Sequence, residues 1–250
     1  MEFALKLWST NGSLISAARE LHSQKYFDRI ELYAVPNSYR QEISKWIELE
    51  IPYIIHAPHF GHGFNLSLAE NWEKNREMFG EARQYCETLN AKNIVVHLGT
   101  KGTLKESLRQ LKELEYSKVV VENKPQIALD GTTCIGTSPE NIKKAMETCD
   151  VGFCLDLSHA TAYATFHKKN PFDILKEFIA LKPSQYHLSD GLVQNIQDKH
   201  MNLGKGNYDL KNIFALLPKE ALIVLETPKT SDVCLDVFVD EIHFIREHLS

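Results

Sequence analysis

The chain has 250 residues, 43% hydrophobic and 24% charged, enough to bury one full core, and a single domain over residues 1–250 is expected. Its formal net charge of -5 excludes a generally basic protein that coats nucleic acid, although bound cations would still create a local positive field. The five cysteines (Cys86, Cys134, Cys149, Cys154 and Cys234) are odd in number and form no C-x-x-C pair, which excludes a disulfide framework and a thiolate zinc knuckle and suits a reducing cytoplasm.

The opening MEFALKLWSTNGS has no secretory pattern, and no later segment reaches about twenty uninterrupted apolar residues, so a soluble protein without membrane contact is expected. Short runs rich in Val, Ile and Leu at residues 3–7, 29–33, 53–56, 93–97, 118–122, 152–156, 185–188 and 222–226 predict eight buried strands. Amphipathic stretches at 14–23, 71–89, 104–114, 139–148 and 172–181 predict helices between them. Strict alternation favours a parallel sheet, and eight units in a chain of this length fit an α/β fold of the closed (β/α)8 TIM-barrel type better than an open doubly wound sheet. The segment WSTNG after the first strand also lacks the Gly-rich loop of a dinucleotide site. Ser138 and Pro139 read as an N-cap and first helical residue, and the long loop 125–137 reads as part of the active face.

Seven of the predicted strands end in a residue that can bind metal or carry a proton: Glu31, His56, His97, Glu122, Asp156, His187 and Glu226. In a barrel these ends converge, and burying such groups without partners is costly; shared metal coordination removes the cost. Asp156 with His159, and Asp198 with His200, add donors just past strand ends. A lone strand-end His is as readily a hydrogen-bonded core residue, and Glu31 as readily a salt-bridged carboxylate; it is the set that argues for metal. His59 and His62 fall in a loop, solvated or facing substrate, whereas His22, His167, His243 and His248 fall on helical surfaces. Trp46 and Trp72 are expected to pack outer helices onto the barrel.

The segments IIHAPHF, VVHLG, VVVEN, CLDLSHA, YHLSD, DKHMNLGKGN and VLETP, from residue 53 onward, resemble in order and spacing the motifs of the endonuclease IV apurinic/apyrimidinic endonucleases, within the wider xylose-isomerase-like barrels. The resemblance implies two to three zinc ions, with manganese as the alternative: His56, His97 and Glu122 on one, Glu122, Asp156, His187 and Glu226 on a second, and His159, Asp198 and His200 on a third. It makes Glu122, Asp156 and Glu226 the catalytic carboxylates and implies hydrolysis of damaged DNA 5′ to abasic sites. Three divalent cations would outweigh the four carboxylates and leave about +2 to receive a phosphodiester. Glu31, Arg40, His59, Phe60 and Lys205 are the expected substrate contacts, with Lys101, Lys124 and Lys199 as further phosphate candidates and His59 and Phe60 as the wedge that fills the space of a missing base.

The chain departs from the family where KPQIALDG follows Glu122 and Asn123, where His59 replaces a Tyr, in its shorter length, and in the absence of an HVS-type opening. The competing expectation is a sugar isomerase or epimerase acting on a small sugar or phosphate ester, which needs only Glu122, Asp156, His187 and Glu226 around one metal. A barrel that merely binds metal or ligand is the third expectation.

Overall fold

The computed structural model describes residues 1–249. Strands β1 (Glu2–Trp8), β2 (Arg29–Tyr33), β3 (Tyr53–His56), β4 (Ile94–His97), β5 (Val119–Glu122), β6 (Gly152–Asp156), β7 (Gln185–Leu188) and β8 (Leu222–Leu225) each pair in parallel with both neighbours, and β8 closes on β1. Helices α1 (Ile15–Ser23), α2 (Tyr39–Ile47), α3 (Trp72–Thr88), α4 (Leu104–Glu113), α5 (Pro139–Cys149), α6 (Leu157–Phe166), α7 (Pro171–Ile179), α8 (Leu210–Ala215) and α9 (Asp236–His248) lie between and after the strands. This is the expected (β/α)8 barrel, with ends displaced by one residue at β1, β4, β5 and β8. Among the described residues no helix is long and apolar enough to cross a membrane.

The strand sequences alternate in a way that builds the site. Ala4, Ile54, Val95, Val120, Cys154, Leu222 and Val224 form an apolar cluster inside the barrel. Leu5, Ile30, Ile55, Val96, Val121, Leu155 and Ile223 belong instead to the larger core beneath the helices. Successive side chains on a strand point to opposite faces, so the residues two positions beyond the inner apolar cluster also face inward. Those residues are Lys6, His56, His97, Glu122, Asp156 and Glu226. Register aligns this layer, pairing Lys6 with Glu31, His97 with Glu122, and Asp156 with His187.

Several of the helices are started by side-chain caps. Ser138 accepts from the Asn141 amide ahead of Pro139, Thr103 accepts from Glu106, and Asn170 accepts from Phe172, satisfying donors that a first turn leaves open. Trp46 is fully buried and donates from Nε1 to the Ser9 carbonyl at 2.8 Å, keying α2 onto the end of β1, whereas Trp72 is half-buried. Helix α6 shows no apolar stripe because Leu157 to Tyr163 is buried on every side, so periodicity could not reveal it.

Candidate metal centre

Glu122, 0% exposed, sits at the middle of the polar layer. Its Oε2 lies 3.2 Å from His56 Nε2, 3.0 Å from His97 Nε2 and 3.4 Å from His187 Nδ1, and its Oε1 lies 3.1 Å from His159 Nδ1. Burial alone would raise this carboxyl, but the surrounding imidazoles, His97 and His187 first and His159 and His56 after them, outweigh it and hold the group well below the usual carboxylate range. Asp156 moves the opposite way. Burial and the neighbouring Asp198, Glu122 and Glu226 push it well above its ordinary value, a crowding of carboxylates that a divalent cation would relieve.

The imidazoles are oriented from behind. His56 Nδ1 donates to the Ala57 carbonyl at 2.6 Å, which turns the Nε2 lone pair toward Glu122. His187 Nε2 donates to Glu31 Oε2 at 2.9 Å and aims Nδ1 at Glu122 and at Glu226 Oε2, 2.7 Å away. Lone pairs facing carboxylate oxygens repel unless a cation lies between them, and an outer carboxylate or carbonyl behind a histidine is the usual support of a metal ligand. Both ring nitrogens of His97, Glu122 Oε1, His187 Nδ1, Asp198 Oδ2 and Glu226 Oε2 are buried without a hydrogen-bond partner. Donor atoms within 4.8 Å of one another form groups able to hold an ion: His56, His97 and Glu122; Glu122, Asp156, His187 and Glu226; His159, Asp198 and His200. The donor chemistry of all three groups fits divalent cations. Cys154 also falls near Glu122 and His187, but burial pushes its thiol up to about 12, leaving it a neutral part of the layer below.

The loop after β7 carries Asp198 and His200 and is held by Asp190. This buried carboxylate accepts four backbone N–H groups: Gly191 at 2.8 Å and Tyr208 at 3.3 Å on Oδ1, Gly204 at 3.0 Å and Gly206 at 2.9 Å on Oδ2. Gly206 packs so close to Gly191 and Asp190 that a Cβ there would collide with both. Gln197 Nε2 donates to the Ala128 carbonyl at 2.7 Å, tying this loop to the 125–137 loop across the mouth. Beneath them a cavity of about 290 Å³ opens onto the donors, walled by Trp8, Tyr33, His59, Phe60, Lys124 and Leu129.

All seven strand-end residues therefore meet at the carboxyl end of the barrel, and the loop donors join them. Several expected substrate contacts lie elsewhere. Glu31 is 0% exposed and spends its oxygens on Lys6 at 3.1 Å, on His187 and on Gln185, so it supports a histidine and does not meet substrate. Arg40, on α2, lines a separate groove against α3, and Lys205, Lys101 and Lys199 are exposed residues outside the cavity wall. Lys124 lies inside the cavity, buried, with Nζ 3.2 Å from His159 Nε2. His59 and Phe60 do line the cavity, half-buried, and burial together with Lys124 lowers His59 to about 3, which keeps its ring neutral.

The sequence reading missed Lys6, Trp8, Tyr33, Asn123 and Asp190. Lys6 had a signal, because a cation inside FALKL in register with inward positions must point into the barrel. Asn123 donates to the Asp156 carbonyl at 2.9 Å and accepts from the Asp156 amide at 2.8 Å, a lock between β5 and β6 that no spacing announces.

A parallel eight-stranded barrel with overlapping donor groups at its carboxyl mouth has the plan of a metal-using barrel enzyme. Residues 21–248 match the xylose isomerase-like TIM barrel family, and the chain belongs to that family. It is similar to the probable endonuclease 4 of Thermosipho melanesiensis, 24% identical over 199 residues that cover 70% of each chain. Among solved structures, endonuclease IV from Thermus thermophilus superimposes with a TM-score of 0.73 at 20% identity, covering 100% of this chain and 99% of the other. A D-tagatose 3-epimerase-like protein gives 0.76 at 19% identity, covering 100% and 97%. The endonuclease IV resemblance of the motifs is thus borne out at the level of the family, and the kinship supports an enzyme.

Proposed function

We propose that this chain is a metal-dependent phosphodiesterase of the endonuclease IV type, hydrolysing DNA 5′ to abasic sites with two to three zinc or manganese ions. The observation that carries this reading is the presence of three donor groups, two of them sharing Glu122, of which His56, His97, His159, Asp198 and His200 have no part in one-metal sugar chemistry. His56, His97 and Glu122 would hold one cation, Glu122, Asp156, His187 and Glu226 the second, and His159, Asp198 and His200 the third. When bound, such cations supply Lewis-acid charge that polarises a phosphoryl oxygen and lowers the pKa of an attacking water.

The chain's own groups supply the rest. Glu122 belongs to two donor groups, and Asp156 caps α6 through Oδ1 on the His159 amide at 2.6 Å, leaving Oδ2 for coordination. Glu226, 21% exposed and lining the cavity, would take the proton of the attacking water. Lys124 and the half-buried rings of His59 and Phe60 bound the space where the substrate sugar would sit.

The test is zinc reconstitution followed by cleavage of a duplex carrying one abasic analogue, comparing wild type with His97→Ala. Cutting by wild type alone supports the reading; no cutting at saturating zinc or manganese overturns it. The cavity itself supports a second reading: about 290 Å³ roofed by Trp8, Phe60 and Leu129 suits a small molecule, as a sugar isomerase or epimerase using Glu122, Asp156, His187 and Glu226 would require. Turnover of a ketose or sugar phosphate by a protein holding a single ion, with DNA left intact, would select it.

A further inference from the structure

Beside the metal-facing cavity lies a second chamber of about 410 Å³ between the ends of β1 and β8. The two share Lys6, Trp8, His200 and Glu226 among their lining residues, so they lie side by side. We propose that this chamber is an anion subsite that holds a phosphate carried by the substrate away from the reacting bond. The proposal rests on the reading that the metal-facing cavity is where the substrate reacts.

Charge placement points to an anion. Lys229 lines the chamber half-buried; its ammonium donates to the Thr227 carbonyl at 2.9 Å and has no carboxylate at ion-pair distance among the described residues. Burial, helped by Lys6, lowers its pKa to about 8 against the opposing pull of the Glu241 and Glu226 carboxylates. The carboxylate on the shared wall already has a cation on one oxygen, because Glu226 Oε1 lies 2.7 Å from Lys6. Asp232 lines the chamber too, as an exposed residue whose charge opposes an anion but is partly screened by water.

Trp8 supplies the other half of the recognition. It remains 45% exposed at the end of β1, braced on Tyr33 with ring centroids 5.2 Å apart, and borders both chambers. A fixed indole face next to an ammonium with no ion-pair partner among the described residues suits the phosphate ester of a pentose. That ester could be a free sugar phosphate or the phosphate next to an abasic sugar in a DNA strand, and the chemistry is the same.

The test uses the full chain stripped of metal by a chelator, a state in which the carboxylates of the central cavity repel phosphate, and again after zinc reloading. Inorganic phosphate, ribose 5-phosphate and a single-stranded oligonucleotide with one abasic analogue are titrated, read by calorimetry and by tryptophan fluorescence, with Trp8→Phe assigning the signal. Metal-free wild type should bind phosphate and at least one ester. Lys229→Met should weaken binding about tenfold, the size of one charge-assisted hydrogen bond, and Asp232→Asn should tighten it. Whichever ester loses tenfold in Lys229→Met identifies the source of the phosphate. The subsite is overturned if metal-free wild type binds none of the ligands, or if both variants bind all of them like wild type. Failure of the metal reading looks different: no zinc is taken up, yet the Lys229 effect persists.

Discussion

Replacing Asp190 with Asn should release the loop that carries Asp198 and His200 while leaving the barrel folded. The wild-type carboxylate accepts two backbone N–H groups on each oxygen. An amide keeps one accepting oxygen and turns an NH2 toward the other pair, so two charge-assisted bonds of ~1.5–3 kcal/mol each are lost and two donors face a donor. The local cost is therefore about 3 kcal/mol or more, roughly a hundredfold in the closed-to-open ratio of the loop. Hydrogen exchange should show faster exchange at Gly191, Gly204, Gly206 and Tyr208, with the β4 and β5 amides unchanged. Elemental analysis should show the ion at His159, Asp198 and His200 lost first. Unchanged protection of those four amides would falsify the reasoning whatever the metal content, because the clamp would then carry no load.

Three further outcomes are expected. Glu122→Gln should lose more than one equivalent of bound metal, since the residue belongs to two donor groups; loss of one equivalent or fewer by elemental analysis contradicts the bridging role. Lys6→Met should destabilise the protein by about 3–5 kcal/mol in denaturant titration, because it strands buried Glu31 and the partly buried Glu226, and adding Glu31→Gln should recover part of the loss; a Lys6→Met protein as stable as wild type refutes this. Phosphate binding through Lys229 should fade as pH rises through about 8, where the ammonium is lost, and Lys229→Arg should keep it at about pH 9. The same depressed pKa has a stability sign: from about 8 up to the ordinary lysine value the unfolded chain binds the proton that the folded chain lacks, so this residue makes stability rise with pH in that window. Equal phosphate affinity on both sides of about pH 8 rules the ammonium out as the contact.

The barrel was readable from sequence because period-two alternation and strand-end chemistry coincide. In each of VVVE, VVH and YIIH an inward apolar residue precedes an inward donor by two positions, so one pattern specifies both the core and the site. Where the donors sit on loops, spacing gave only that Asp198 and His200 fall together. What aims them is Asp190, whose four amide partners span residues 191 to 208 and become neighbours only when the loop folds back. Arg40, Lys101, Lys199 and Lys205 fall outside the cavity wall for a related reason. Following a strand end in sequence is a weak guide to facing its axis, since a helix or an extended loop can carry the side chain outward within a few residues.

Lys6 and Glu31 show how the barrel carries a donor layer whose like charges would otherwise oppose its folding. Glu122, Asp156, Asp198 and Glu226 bring four carboxylates into one buried region, and Glu31 adds a fifth. Lys6 is a cation built into the chain, 3.1 Å from Glu31 and 2.7 Å from Glu226, so it neutralises the carboxylate added and leaves the charge presented to metals unchanged. The pair also divides the labour of orientation: Lys6 fixes one oxygen of Glu226, and Glu31 fixes His187, whose Nδ1 faces the other. Two donors of the same candidate metal group are thereby held in place by residues that need not bind metal themselves, which lets the layer take its shape during folding and bind cations without rearrangement.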